Sequence, residues 1–132
     1  MSLTIEQALT AYATMMNRLN AAYLEPLLAD DFHYASQWVI AEIESKSAYL
    51  NYIEAKLEII RKSGPVVWAE MGSLERELPG PCVVMAQGDK EDLLAVVLAE
   101  VEGGKIKRMD LCFAPSPYSA RRTGIYPGRT GV

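Results

Sequence analysis

Histidine and cysteine are scarce in this chain of 132 residues, which contains one histidine and two cysteines. The single histidine, His33, excludes a histidine-rich metal site, and we expect neither a metal nor a cofactor. Cys82 and Cys112 lie far apart in the sequence and form no CxxC pair. Both are therefore predicted to be buried thiols of a cytoplasmic protein.

Long apolar runs and an excess of positive charge are also absent. No apolar run approaches the roughly 18 residues that a membrane span requires, and the first residues lack the basic and apolar regions of a signal peptide. Thirteen Lys and Arg against seventeen Asp and Glu give a net charge of −4, whereas nucleic-acid binding needs a concentrated basic surface. We therefore expect no membrane and no nucleic acid among the partners.

The hydrophobic residues, which make up half of the chain, are enough for one core. Their three-and-four spacing predicts helices over 4–19 and 46–62, with a shorter helix around Leu24, Leu27 and Leu28. Thr4 and Gln7 form a candidate capping box before the first helix. Segments rich in aromatic and β-branched residues predict five strands, at 32–40, 66–77, 82–87, 93–101 and 105–113.

Short glycine-containing breaks separate the last three strands, which are therefore predicted to be antiparallel neighbours. Helices followed by strands indicate an α+β domain over residues 1–113. Residues 114–132 are rich in Pro, Gly and Arg and are predicted to form an extended or loosely ordered tail. Its arginines and tyrosines could reach an anionic ligand, cover a pocket or pack on a partner subunit.

Three short stretches resemble the nuclear transport factor 2-like superfamily, which includes ketosteroid isomerases and SnoaL-like polyketide cyclases. They are Leu27 to Phe32 (LLADDF), the part of the first helix from Tyr12 to Asn17, and Gly104-Lys105 before the last strand. The resemblance implies a cystatin-like α+β roll, in which a cone-shaped, curved antiparallel sheet wraps around three helices of the N-terminal half. It also implies an enclosed pocket and a homodimer.

The ketosteroid isomerase site can be placed on the chain by this resemblance. Tyr12 falls where the family has its oxyanion-hole tyrosine, Ser36 at the general base and Val96 at the protonated acid. Serine without a helper is not a base near neutral pH, and valine has no proton to donate. Ketosteroid isomerase activity is therefore not expected, and the catalytic residues stay unknown.

Other polar residues leave their roles open. Asp30 and Asp31 are expected to cap backbone N–H groups and face solvent. His33 alternates with Ser36 along its strand, so it faces away from a pocket that contains Ser36. Asp110 and Glu70 lie in apolar strands, and each either points outward, is buried and paired, or serves the pocket.

Five aromatic residues on converging elements indicate a pocket, although each alone could simply fill the core. With three positions that the resemblance or the strand pattern adds, the candidate ligand-binding residues are Tyr12, Tyr34, Ser36, Trp38, Tyr52, Trp68, Val96 and Asp110.

Three functions follow as hypotheses, and whether the chain is an enzyme stays open. The first is a protein that binds a small, mainly apolar molecule. The second is a SnoaL-like enzyme that transfers a proton with a pocket carboxylate such as Asp110 or Glu70. The third is a dimeric association module without a ligand. Strands 82–87 and 93–101 are apolar on both faces, so something covers the second face, and a homodimer is the expected cover.

Overall fold

A computed structural model describes residues 2–39, 41–76 and 79–129. Two α-helices and a six-stranded sheet make up an α+β fold, with short 3₁₀ turns between them. The elements are α1 (Ile5–Arg18), β1 (Leu28–Ser36), α2 (Lys46–Ser63), β2 (Val67–Leu74), β3 (Gly80–Gln87), β4 (Leu93–Glu102), β5 (Lys105–Cys112) and β6 (Arg121–Arg122).

Local signals set the ends of the two long helices. The Thr4 hydroxyl accepts from the Gln7 N–H at 3.0 Å, and the Gln7 side chain accepts from the Thr4 N–H at 3.0 Å. The predicted capping box is thus confirmed, and it satisfies two backbone donors that the first turn leaves free. At the C-terminal end of α2, Gly64 follows the last helical residue, as the Gly64-Pro65 pair predicts.

The short second helix and the first strand differ from their predictions. Residues 21–23 and 25–27 form two 3₁₀ turns, because Pro26 has no N–H for a longer helix. Strand β1 begins at Leu28 and ends at Ser36, so Trp38 and Val39 follow it rather than belong to it. Ile40, which was predicted to end this strand, lies outside the described residues, as does Glu77, the predicted end of the second strand.

The sheet is mixed rather than antiparallel. Its order is β1-β5-β4-β3-β2-β6, and every neighbouring pair is antiparallel except β1 with β5, which is parallel. The two predicted hairpins, β3–β4 and β4–β5, are confirmed. The sheet is not strongly curled, so the cone-shaped sheet that the resemblance implies is not observed. The parallel pair was missed because it joins segments more than seventy residues apart, which no local pattern reports.

The main core lies between α1, α2 and the inner face of the sheet. Leu9, Met15, Phe32, Tyr49 and Met109 are among its fully buried side chains. We call the opposite side of the sheet the outer face. A second apolar cluster lies there, formed by Leu74, Cys82, Val84, Ala86, Leu93, Val96 and Cys112.

Residues 114–129, here called the C-terminal segment, cover part of this outer face. Ala120 packs on the second cluster, and the Tyr118 hydroxyl accepts from the Leu93 N–H at 3.0 Å. The segment then pairs with the edge of β2, where the Met71 N–H donates to the Ile125 carbonyl oxygen at 2.9 Å. Its described residues are thus held against the sheet by hydrogen bonds. The division of the chain at residue 113 stays a prediction.

This placement changes the argument for a homodimer. The apolar second face of β3 and β4 was expected to need a partner subunit, but part of its cover comes from the same chain. Because the chain itself supplies part of this cover, the apolar face does not support homodimerisation, which stays a prediction.

Cys82 belongs to the outer cluster. Burial raises the pKa of its thiol to about 11, in keeping with a buried structural cysteine.

Candidate functional site

A cavity of about 670 Å³ opens between α2 and the inner face of the sheet. This volume is within the range of small-molecule sites, about 300–1,000 Å³. Helix α2 forms one wall with Ala55, Ile59 and Ile60, and the ends of the strands form the other with Val67, Met85 and Leu111. The strand pleat explains the second wall, because alternate residues of each strand share one face.

Polar groups are few in this lining. The Tyr12 side chain reaches the cavity from α1, Ser36 from the end of β1, and Tyr52 and Lys56 from α2. Burial, and then the neighbouring Tyr49 and Tyr52, raise the pKa of Tyr12 well above its ordinary value. Tyr12 is consequently a neutral hydroxyl that can donate a hydrogen bond.

A group of tyrosines supports this side of the cavity. Tyr34 lies behind Tyr52 with a distance of 5.7 Å between the ring centroids, and Tyr49 lies 5.2 Å from Tyr34. Burial raises the pKa of Tyr34, and the other tyrosines raise it further. The Tyr49 hydroxyl is buried and has no hydrogen-bond partner among the described residues. These rings give α2 a fixed position against β1.

The mouth of the cavity is apolar and exposed. Trp38 is 50% exposed and lies against Phe113, which is 44% exposed, with 5.3 Å between the ring centroids. The Gln37 side chain joins the segment after β1 to the segment after β5. Its amide oxygen accepts from the Phe113 N–H at 2.8 Å, and its amide nitrogen donates to the Ala114 carbonyl oxygen at 2.9 Å. Exposed aromatic surface beside a cavity is typical of a binding site.

Four of the eight predicted site residues line this cavity: Tyr12, Ser36, Trp38 and Tyr52. Tyr34 is buried directly behind them. The structure places Trp68, Val96 and Asp110 elsewhere, on the outer face. Each is next in sequence to a residue that faces inward: Val67, Val97 and Leu111 respectively. Neighbouring residues of a strand point to opposite faces, so the three predicted residues point outward.

The two carboxylates considered for proton transfer are both paired on that outer side. Asp110 accepts two hydrogen bonds from the Arg108 guanidinium, each at 3.0 Å. Glu70 is buried, accepts from Arg122 Nε at 2.7 Å and also accepts from the Gly124 N–H at 2.7 Å. Within the described residues, the lining of the cavity contains no Asp or Glu.

The remaining polar candidates lie at the surface. His33 faces away from the cavity, as strand parity predicts, and its Nδ1 lies 3.3 Å from Glu42 Oε1. The side chain of Asp31 is exposed and pairs with Lys107. Among the described residues, no group of three or more His, Cys, Asp or Glu side chains could hold a metal ion.

Lys56 was missed by the sequence analysis. The sequence does contain a signal for a place in the lining. The residues three and four positions before and after Lys56 are all apolar or aromatic: Tyr52, Ile53, Ile59 and Ile60. A lysine in the middle of an apolar helical stripe lies beside apolar surface, and Lys56 is half-buried at the cavity.

Comparison with known proteins identifies the fold of this chain through solved structures. No family model matches the chain, and no curated protein matches it. Solved structures do. An NTF2-like protein of unknown function from Cytophaga hutchinsonii aligns with a TM-score of 0.57 and 15% identity, over 87% of this chain and 96% of that one.

This chain has the nuclear transport factor 2-like fold. A second NTF2-like protein of unknown function, from Pseudomonas putida, aligns with a TM-score of 0.59 and 16% identity, over 82% of each chain. A ketosteroid isomerase-like protein from Catenulispora acidiphila, solved in complex with trimethylamine, has a TM-score of 0.53 and 14% identity over 82% of this chain and 85% of that one. The NTF2-like fold carries many functions, so the site has to supply the function.

No helix in the described ranges is both long enough and apolar enough to cross a membrane.

Proposed function

We propose that this NTF2-like chain binds a small, mainly apolar molecule in the cavity between α2 and the sheet. The observation that carries the proposal is the lining, which is apolar apart from a few polar side chains such as Tyr12, Ser36 and Tyr52. Sites for small ligands have this composition, with apolar walls for affinity and a few polar groups for orientation. The trimethylamine complex of the Catenulispora protein is a case of ligand binding on the same fold.

A binding role is favoured over proton transfer by a pocket carboxylate. Asp110 and Glu70 are paired with arginines on the outer face, so neither can reach a molecule held against α2. A catalytic carboxylate has to lie within hydrogen-bond distance of its substrate. An association module without a ligand is less favoured, because side chains of the chain itself do not fill the cavity.

The test compares two tryptophan substitutions on the same helix. Both alanines are exposed, but Ala55 lines the cavity, whereas Ala48, two turns earlier, lies outside the lining. Binding of Nile red, a neutral apolar dye, is measured by its fluorescence. We expect Ala55→Trp to weaken dye binding at least tenfold, by occupying roughly the space of an apolar ligand group, and Ala48→Trp to leave it unchanged.

Equal binding by both variants and the unmodified chain would exclude this cavity as the binding site. Native mass spectrometry of the freshly purified protein adds the identity of the ligand. A discrete excess over the chain mass that disappears on denaturation is the expected result, and a doubled mass would establish the predicted homodimer.

A further inference from the structure

Lys56 is a half-buried cation at an otherwise apolar part of the cavity. Its ammonium nitrogen lies 5.8 Å from the centroid of the Tyr52 ring, which also lines the cavity. Lysines normally bury their methylene stem and place the ammonium group in water. Here the Lys56 side chain lines the cavity, and its ammonium group lies beside an aromatic face that attracts it.

No acidic partner accounts for this position. Glu54 and Glu58 are each two residues from Lys56, which places them on the other side of α2. Glu58 is already paired with Arg61 and Lys62 there. Within the described part of the chain, no carboxylate forms an ion pair with Lys56.

From this we infer that the ligand of the cavity is an amphipathic acid, with an apolar body between α2 and the sheet and a carboxylate bound by Lys56. The inference rests on the proposed binding function and adds the chemical class of the ligand. Lys56 is the only charged side chain among the described lining residues, so the charge of the cavity is positive. An ammonium group that faces a carboxylate forms charge-assisted hydrogen bonds, which are stronger than neutral ones.

The hydroxyl groups of the lining fit the same ligand. A carboxylate has several acceptor positions, and one ammonium group does not fill them all. Tyr52, which lies beside Lys56, and Ser36 on the opposite wall carry hydroxyl groups that can donate. The apolar body would be covered by Ile59, Ile60 and Leu111. A neutral apolar ligand would leave the Lys56 charge to water alone.

The test uses two ligands of equal length that differ in charge, decanoic acid and 1-decanol. Each displaces Nile red from the full chain at pH 7.5 and low salt, and the dissociation constants are compared with those of two variants. Lys56→Met removes the charge from the cavity. Lys62→Met is the matched control, because Lys62 is on the same helix but is exposed and outside the lining.

We expect Lys56→Met to weaken decanoate binding about tenfold, the effect of one lost charge-assisted hydrogen bond, and to change decanol binding less than about twofold. Lys56→Arg, which keeps the charge, should bind decanoate more tightly than Lys56→Met does. Lys62→Met should change the binding of neither ligand. Added salt should weaken decanoate binding and spare decanol.

The two ways to fail are distinguishable. If decanol and decanoate both bind but Lys56→Met weakens the binding of both equally or of neither, the ammonium group does not bind the ligand carboxylate and the inference is wrong. If neither ligand nor the dye binds the unmodified chain, the proposed binding function is wrong and the inference falls with it.

Discussion

At the scale of single residues, Glu70 shows how this chain handles a buried charge. Glu70 is 3% exposed, and the partners of its carboxylate, Arg122 and the Gly124 N–H, both belong to the C-terminal segment. Arg122 also bonds to Glu91 and lies 3.4 Å from the Tyr126 hydroxyl. A charge buried in this way stabilises the native state only while its partners remain in place.

We therefore expect Glu70→Gln to lower the free energy of unfolding by about 1.5–3 kcal/mol, the usual value of hydrogen bonds to a charged group. Urea denaturation at pH 7 measures it. The control is Glu75→Gln, because Glu75 pairs with Arg121 at the exposed surface, where an ion pair contributes little. Equal losses in the two variants would show that burial of Glu70 does not matter to stability.

At the scale of elements, Gly72 permits the C-terminal segment to cross the sheet. A Cβ atom at this position would lie 2.8 Å from the Arg121 carbonyl oxygen and 3.1 Å from Val84 Cγ2. The first of these is backbone, which cannot move without displacing β6. The contact between β2 and β6 therefore requires a residue without a side chain here.

Gly72→Ala should destabilise the protein by about 1–3 kcal/mol, as other overpacked sites do, and loosen the C-terminal segment. Hydrogen exchange detects this second effect at the Thr123 N–H, which donates to the Met71 carbonyl oxygen. Ser73→Ala is the neighbouring control, since it adds no atoms. Unchanged protection of Thr123 in Gly72→Ala would contradict the expected displacement.

The elements that the sequence predicts well are those with local signals. The ends of α1 and α2 and the two hairpins follow from capping and turn residues. Strand parity is also correct, since Glu70 and Asp110 share a face with Trp68 and Cys112 respectively. Parity does not say which of the two faces holds the cavity, and that choice depends on where the helices pack.

Val96 illustrates the same difficulty. The resemblance placed it in the pocket by counting back from Gly104-Lys105, but it lies in the outer cluster, and its neighbours Ala95 and Val97 face inward. The register between β4 and β5 shifts between Glu100 and Val101, along the stretch that the count crosses. An error of one residue in a strand moves a side chain to the other face.

At the scale of the whole molecule, paired surface carboxylates contribute to the response to acid, each by a small amount because the pairs are exposed. Hydrogen bonds from Lys107 lower the pKa of Asp31, and those from Arg108 lower the pKa of Glu42. Because both folded values lie below the unfolded ones, the unfolded chain binds more protons as the pH falls. The stabilisation is complete above the unfolded pKa values and is lost as the pH falls through the folded ones.

We expect the urea midpoint to be constant between pH 7 and about 5 and to fall below about pH 4, where carboxyl groups take up protons. Lys107→Met removes the partner of Asp31 and should make this fall slightly smaller, because the pair is exposed. Lys105→Met is the control, because Lys105 donates to the Pro26 carbonyl oxygen and not to a carboxylate. An acid response that is identical in Lys107→Met and the unmodified chain would contradict the role of the Asp31 pair.

The parallel pair of β1 and β5 has a consequence for how the chain folds during synthesis. Strand β1 lies at one edge of the sheet, and before β5 exists its backbone pairing within the described residues is limited to the bridge between Tyr34 and Ile43. A ribosome must therefore release the chain through β5, which ends at Cys112, before β1 can join the sheet. Contacts that close so long a loop are formed slowly. Until then Phe32 and Tyr34 can pack on the tyrosines of α2, but the backbone of β1 has no neighbouring strand, and this is the period when a chaperone would have most to protect.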